Sequence, residues 1–134
     1  MSQIAIIVSE FNPEITEKLL QGAENMLKKA KAQFEVFRVP GAFEIPLKAQ
    51  QLARCGYDLV IALGCIIKGD TLHFELVANE CVRGCMKVML QEEIPVVFEV
   101  LACFSEKDAV KRSSGKENRG TMAAKVALYW LTKS

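Results

Sequence analysis

From Leu63 to Glu75 the chain reads Leu-Gly-Cys-Ile-Ile-Lys-Gly-Asp-Thr-Leu-His-Phe-Glu. Gly64 and Gly69 lack the side chains that would keep an anion away from backbone amides. Asp70 and Thr71 stand where a helix would open. Their amides, with the helix dipole behind them, suit a phosphate group. Lys68 adds a cation. His73 is the only histidine among the 134 residues. It falls in the first helical turn, where an imidazole can move protons. The stretch is neither a Walker motif nor a Gly-x-Gly-x-x-Gly fingerprint. A plain strand-to-helix turn, with Lys68 solvated and His73 structural, is the competing reading. Asp70 would contribute through its amide, leaving its carboxylate free to cap the helix.

Two other stretches carry side chains suited to a ligand. Glu10-Phe11-Asn12-Pro13 and Pro40-Gly41-Ala42-Phe43-Glu44 are loop-like and each holds an aromatic residue. Phe11 and Phe43 either anchor their loops in the core or offer a flat face to a heterocycle. Glu44 is either a partner for a helix dipole or a two-pronged acceptor for a polyol.

The elements that must position these loops follow from periodicity. Apolar runs over 3–9 and 59–65 read as strands buried on both faces. Segments 34–39 and 94–101 add two more strands. Helical spacing marks 13–32, with Asn12 as N-cap and Pro13 in the first turn. A second helix follows the 40–46 loop and ends near Cys55, with Gly56 as a left-handed cap. A third covers 74–91. Its apolar arc is wide, so it packs either on a neighbouring subunit or in a crowded core. Helices over 106–112, opened by Ser105, and 119–132 complete the chain, with a loose polar connector at 113–118 between them. Strands that alternate with helices predict a parallel sheet. The simplest order is 2-1-3-4, a flavodoxin-like three-layer sandwich with helices on both faces. Residues 1–134 then form a single domain. The order reverses between strands one and three, and ligands bind such sheets at the carboxyl ends beside that switch. The three unusual loops would share that rim.

Bulk composition narrows the classes. Seventeen basic and sixteen acidic residues leave a formal charge of +1. There is no basic excess to drive nucleic-acid binding. No apolar run reaches the roughly 18 residues that span a membrane, and the N-terminus has no leader pattern, so the expectation is a cytoplasmic protein. The five cysteines lack metal-ligand spacing and read as reduced thiols, with no metal expected. The slightly apolar mean hydropathy points to surface buried between subunits.

The motifs Phe11-Asn12, Val39 to Pro46, Gly64 to Phe74, Pro95 to Phe98 and Asp108 to Arg112 resemble, in order and over nearly the whole chain, those of the 6,7-dimethyl-8-ribityllumazine synthases. The resemblance implies a transferase of riboflavin biosynthesis. Such enzymes condense 5-amino-6-(D-ribitylamino)uracil with 3,4-dihydroxy-2-butanone 4-phosphate, releasing phosphate and water, and use no metal or organic cofactor. It implies that Phe11 stacks on the pyrimidine and that Ala42, Phe43 and Glu44 hold the ribityl chain. Cys65, Ile66 and Ile67 would lie along the pyrimidine, Asp70 and Thr71 with Arg112 would hold the phosphate, and His73 would transfer protons. Phe98 would line the pocket, with Arg119 a further candidate. It also implies sites between adjacent subunits of a homopentamer, sixty-subunit capsids in some members, and riboflavin synthase as a candidate partner.

The chain departs from that pattern at several points. Glu10 stands where the family usually has Arg, Glu99 where Gly is usual, and Asp108 where Gln is common. Arg119 replaces a common Lys, and Met122 fills a position often acidic. Two other readings accommodate these changes: an archaeal-type riboflavin synthase, and a non-catalytic flavin-binding or capsid-forming relative.

Overall fold

Two strands carry almost nothing polar. β1 (Gln3–Ser9) is buried from Ile4 onward, and β3 (Leu59–Ile67) is buried through Cys65. Such strands must be covered on both faces. The computed structural model describes residues 2–133, with Met1 and Ser134 outside the described residues. It shows a parallel sheet in the order β2-β1-β3-β4, where β2 is Gln33–Val39 and β4 is Val96–Cys103. α1 (Pro13–Lys29) and α5 (Arg119–Lys133) cover one face. α2 (Ile45–Arg54) and α3 (His73–Glu92) cover the other. α4 (Glu106–Arg112) follows β4. This is the expected α/β sandwich and strand order.

Alternation divides the strands between two cores. Ile4, Ile6 and Val8 pack with α1 and α5, while Ala5 and Ile7 pack with α2 and α3. Each fully buried Ile or Leu contributes roughly 1.5–3 kcal/mol. The order reverses at the β1–β3 pair, so the loops leaving those two strands open side by side.

Several boundaries differ from expectation for identifiable reasons. α1 stops at Lys29 rather than near Ala32. Lys31 takes the left-handed conformation (φ 58°), and the Ala32 amide donates back to the Leu27 carbonyl at 3.0 Å. That is the closure usually signalled by glycine, here made by a lysine. Gly56 does take the expected positive φ, 100°. β3 and β4 each run two residues beyond the expected ends, because they hold one another: Ile67 pairs with Cys103, and the Lys68 amide donates to the Cys103 carbonyl at 2.8 Å. α3 starts at His73 with Leu72 at the N-cap, so Asp70 and Thr71 lie in the turn before the helix rather than opening it.

The two readings of the wide apolar arc on α3 are separated by exposure. Cys81, Cys85 and Val88 are buried, while Leu76, Val82, Met86 and Leu90 are exposed. One chain therefore leaves much of the arc uncovered, which favours a subunit neighbour over a crowded core.

The connector read as loose is anchored. It contains a single 3-10 turn, Gly115–Glu117, and begins at the buried Ser113. The Asn118 side chain donates to the Lys18 carbonyl (3.0 Å) and the Ser113 carbonyl (2.9 Å), and accepts from the Gly120 amide (2.8 Å). Asn118 thus caps α5 and ties it to α1. Gly120 then sits so close to α1 that an added Cβ would fall on the Leu19 carbonyl oxygen. Gly120→Ala is expected to lower stability by about 1–3 kcal/mol through overpacking. Urea denaturation monitored by circular dichroism measures this, and a midpoint equal to wild type contradicts the packing described.

Candidate active site

Loops from four places meet at the carboxyl ends of β1 and β3. They enclose an open cleft of about 670 Å³ lined by Phe11 and Asn12, by Gly41 to Glu44, by Cys65 to Ile67, and by His73, Leu76 and Val77. The β1–α1 loop supplies Phe11, whose ring is 69% exposed. The loop after β2 supplies Ala42, Phe43 and Glu44, which form one 3-10 turn. Phe43 is 62% exposed. Neither phenylalanine anchors its loop in the core, so the reading in which they present flat faces is favoured. The Glu44 carboxylate accepts the Gly41 amide through Oε1 at 2.9 Å. That bond orients the carboxylate and shapes the turn.

Asn12 was expected to cap α1. It occupies that position, but its side chain makes no cap bond. Instead Nδ2 donates to the Cys65 carbonyl at 2.9 Å, joining the first loop to the end of β3. The sequence signal for this was weak, since Asn before Pro suits a helix start equally well. Leu76 and Val77 were not anticipated as lining residues. They lie one turn beyond His73, and helical spacing from a catalytic candidate is the signal that finds them.

Gly64 does not serve an anion. It lies inside β3, where an added Cβ would come within 2.7 Å of Ser9 Oγ and 3.2 Å of Val100 Cγ1. Its role is close packing. Gly69 has open space around it, as an anion loop requires. Asp70 and Thr71 are exposed beside the cleft. Leu72 at the N-cap offers no side-chain bond, and the Thr71 hydroxyl, not the Asp70 carboxylate, accepts the His73 amide, at 3.3 Å. Lys68 is not simply solvated either, since its Nζ sits 5.4 Å above the centre of the Phe104 ring.

The structure does not bring the remaining candidates to this cleft. Phe98 is half-buried against the core shared by α2 and α3. Arg112 and Arg119 line a separate concavity of about 390 Å³ at the end of β4, with Glu99, Cys103, Phe104 and Asp108. Arg112 is exposed, and its Nη1 donates to the Asp108 carbonyl at 3.1 Å. Arg119 is bound at two points by Glu99, with Nε to Oε1 at 3.0 Å and Nη2 to Oε2 at 2.7 Å. Glu99 is a charge in an otherwise apolar strand, and that is the sequence signal for a cation nearby. On one chain, the ring-and-polyol cleft and the arginine rim are two distinct surfaces.

A sequence model of the family described as 6,7-dimethyl-8-ribityllumazine synthase matches residues 1–133. The chain belongs to the 6,7-dimethyl-8-ribityllumazine synthase family. A relative of that name from Pyrococcus furiosus is 47% identical over 119 residues, covering 88% of this chain and 76% of its own. The 6,7-dimethyl-8-ribityllumazine synthase 1 of Caulobacter vibrioides is 46% identical over 131 residues, covering 94% and 86%. A third relative of that name, from Thermococcus kodakarensis, is 41% identical over 128 residues, covering 94% and 82%.

Cys65 is apolar lining and not a nucleophile. Burial, with a smaller contribution from Cys103, pushes its thiol from 9.0 up to about 12. The folded value lies above the unfolded one. The stability that comes from keeping the thiol neutral is therefore complete below about pH 9 and fades as pH rises towards about 12. Of the five cysteines, only Cys55 is exposed. A thiol-reactive dye at about pH 8 is expected to label Cys55 in the native protein and the others only after unfolding. The denaturation midpoint should fall over the alkaline window. Rapid native labelling of Cys65, seen by peptide mapping, is the contrary result.

Proposed function

We propose that the cleft of one subunit and the arginine rim of its neighbour together form the site. There the chain condenses 5-amino-6-(D-ribitylamino)uracil with 3,4-dihydroxy-2-butanone 4-phosphate. The chain is a transferase of riboflavin biosynthesis, and the product is 6,7-dimethyl-8-ribityllumazine. The observation that carries the residue assignments is the meeting of Phe11, Phe43, Glu44 and His73 in one cleft from separate loops.

The chemistry needs two reactants held in register and few other devices. The aromatic amine of the uracil attacks the ketone, forming a carbon–nitrogen double bond with loss of water. Removal of a proton then expels phosphate by breaking its carbon–oxygen bond. The ribityl-bearing nitrogen closes the second ring on the remaining carbonyl, and a further water leaves. Phe11 offers its exposed face to the pyrimidine, with Ile66 and Ile67 beneath it. Glu44, oriented by the Gly41 amide, has a second oxygen for ribityl hydroxyls. His73, at the mouth of the cleft, moves the protons. Arg112 receives the phosphate, with the exposed turn at Asp70 and Thr71 opposite. Holding both molecules together supplies much of the acceleration.

The neighbour enters because no single chain brings Arg112 to the cleft, and because the exposed apolar arc of α3 needs cover. Assembly belongs to the family, and a ring of five, or a capsid built from such rings, is the arrangement we favour. Among the described residues no helix is long and apolar enough to cross a membrane. Five free cysteines, four of them buried, support a reducing cytoplasmic setting. A riboflavin synthase, which would consume the product, is the partner we propose.

Mixing the purified protein with both substrates should yield the fluorescent lumazine and inorganic phosphate above the uncatalysed rate. Arg112→Ala is expected to raise KM for the butanone phosphate with a smaller change in kcat. His73→Ala is expected to lower kcat by about tenfold or more while leaving substantial turnover, because proximity survives the loss of the base. Wild-type constants in both variants would show these roles to be misassigned.

A further inference from the structure

The arginine rim gathers positive charge from three sources. Arg112 and Arg119 are two of them. The third is the N-terminus of α5, where Arg119 is the first residue and the first turn contains no acidic side chain. A cation at the positive end of a helix is unfavourable unless an anion offsets it. The anion comes from β4. Glu99 grips the Arg119 guanidinium at two points, and its side chain is only 15% exposed, against 43% for Arg119. A carboxylate that buried is costly without its partner. The pair is therefore held firmly, and these hydrogen bonds raise the Arg119 guanidinium further above its already high ordinary value. Met122, one turn further along α5, has no charge to offer Arg119 in place of Glu99. Arg112 is differently placed: its bond goes to a carbonyl of its own helix, so its charge is not neutralised by that contact.

We propose that Glu99 is a positioning residue that clamps Arg119 away from the phosphate and so limits how tightly the rim grips that anion. The inference rests on reading the rim as the phosphate site. The physical need is clear. Phosphate arrives on the substrate and must leave as a free ion. A rim with two unopposed guanidinium groups and a helix end would bind product phosphate too well. Glu99 leaves Arg112 as the gripping group and makes Arg119 part of the scaffold. Asp108, the other carboxylate of the rim, lies in the first turn of α4, where it offsets that helix end.

The test is calorimetric titration of the assembled protein with inorganic phosphate, comparing wild type with Glu99→Gln, Arg119→Gln and the double variant. Glu99→Gln keeps the shape of the side chain and removes its charge. It is expected to tighten phosphate binding by about threefold or more by freeing Arg119. The double variant should return to within about twofold of wild type, since the freed cation is gone. Arg119→Gln alone leaves the Glu99 carboxylate unpaired on the rim and should weaken phosphate binding, and adding Glu99→Gln to it should restore the affinity, which decides the matter should Glu99→Gln alone fail to fold. In turnover, Glu99→Gln should lower both KM for the phosphate substrate and kcat, as product release slows. Unchanged phosphate affinity in Glu99→Gln, tightening that persists in the double variant, or tighter binding in Arg119→Gln alone would each overturn the proposal. So would undetectable phosphate binding by the wild type. If the wild type bound phosphate as described but made no lumazine, the synthase reading would fall while the role of Glu99 stood.

Discussion

The site depends on a single hydrogen bond at the point where the sheet runs out of partners. β1 pairs with β3 only as far as Val8 opposite Leu63. β3 continues to Ile67, held on its other side by β4. Beyond Leu63 the carbonyls on the β1 side of β3 have no strand to receive them. A buried carbonyl without a donor is costly. Asn12 supplies one, Nδ2 to the Cys65 carbonyl at 2.9 Å. To reach it, Asn12 adopts the left-handed conformation, φ 59° and ψ 56°, which Asn tolerates better than most residues. Phe11, the preceding residue, is thereby fixed at the lip of the cleft. A side-chain amide standing in for a missing ladder bond thus ties the first loop to the strand that carries Cys65, Ile66 and Ile67.

The same extension of β3 and β4 bears on the two concavities that one chain presents. β4 runs on to Cys103, and Arg112 of α4 and Arg119 of α5 line a concavity with the residues of its end. That places Arg112 and Arg119 on a surface of their own. The cleft has aromatic faces, a carboxylate and an imidazole, which suit a ring and a polyol. The rim has the Arg112 guanidinium, which suits phosphate. On the proposed reading, neither surface holds both substrates alone. An exposed apolar arc on α3, beginning beside His73, is what a chain would need to bring a neighbour against the cleft. On that proposal, assembly and chemistry are coupled through the same helix.

Much of this was legible before any coordinates. Positions 4–8 and 59–65 carry no polar side chain on either face, and such runs have little alternative to the middle of a parallel sheet. The three loops had unusual composition, and the strand order placed them together. What could not be read was the work of contacts between distant segments. Asn12 carries the signals of a helix cap, yet its amide is used 53 positions away. Gly64 sits in a motif that looks built for an anion, yet Ser9 and Val100 on the neighbouring strands dictate it. The connector at 113–118 is polar and rich in small residues, which reads as loose, but Asn118 pins it to the Lys18 carbonyl. The clamp between Glu99 and Arg119 joins residues that looked like unrelated departures from a family pattern. Pairwise geometry of this kind leaves no periodic trace in a sequence.

The central claim is that the cleft of one chain works with the rim of another, and subunit complementation tests it most directly. One chain carries Phe11→Ala with His73→Ala, disabling the cleft. The other carries Arg112→Ala with Arg119→Ala, disabling the rim. Each is unfolded, and the two are refolded together in equal amounts. If sites are shared between neighbours, random assembly makes about a quarter of them wild type in both halves, and lumazine formation recovers to about that share. If each chain holds its own site, no intact site can form, and the mixture will be no more active than the average of its two parts.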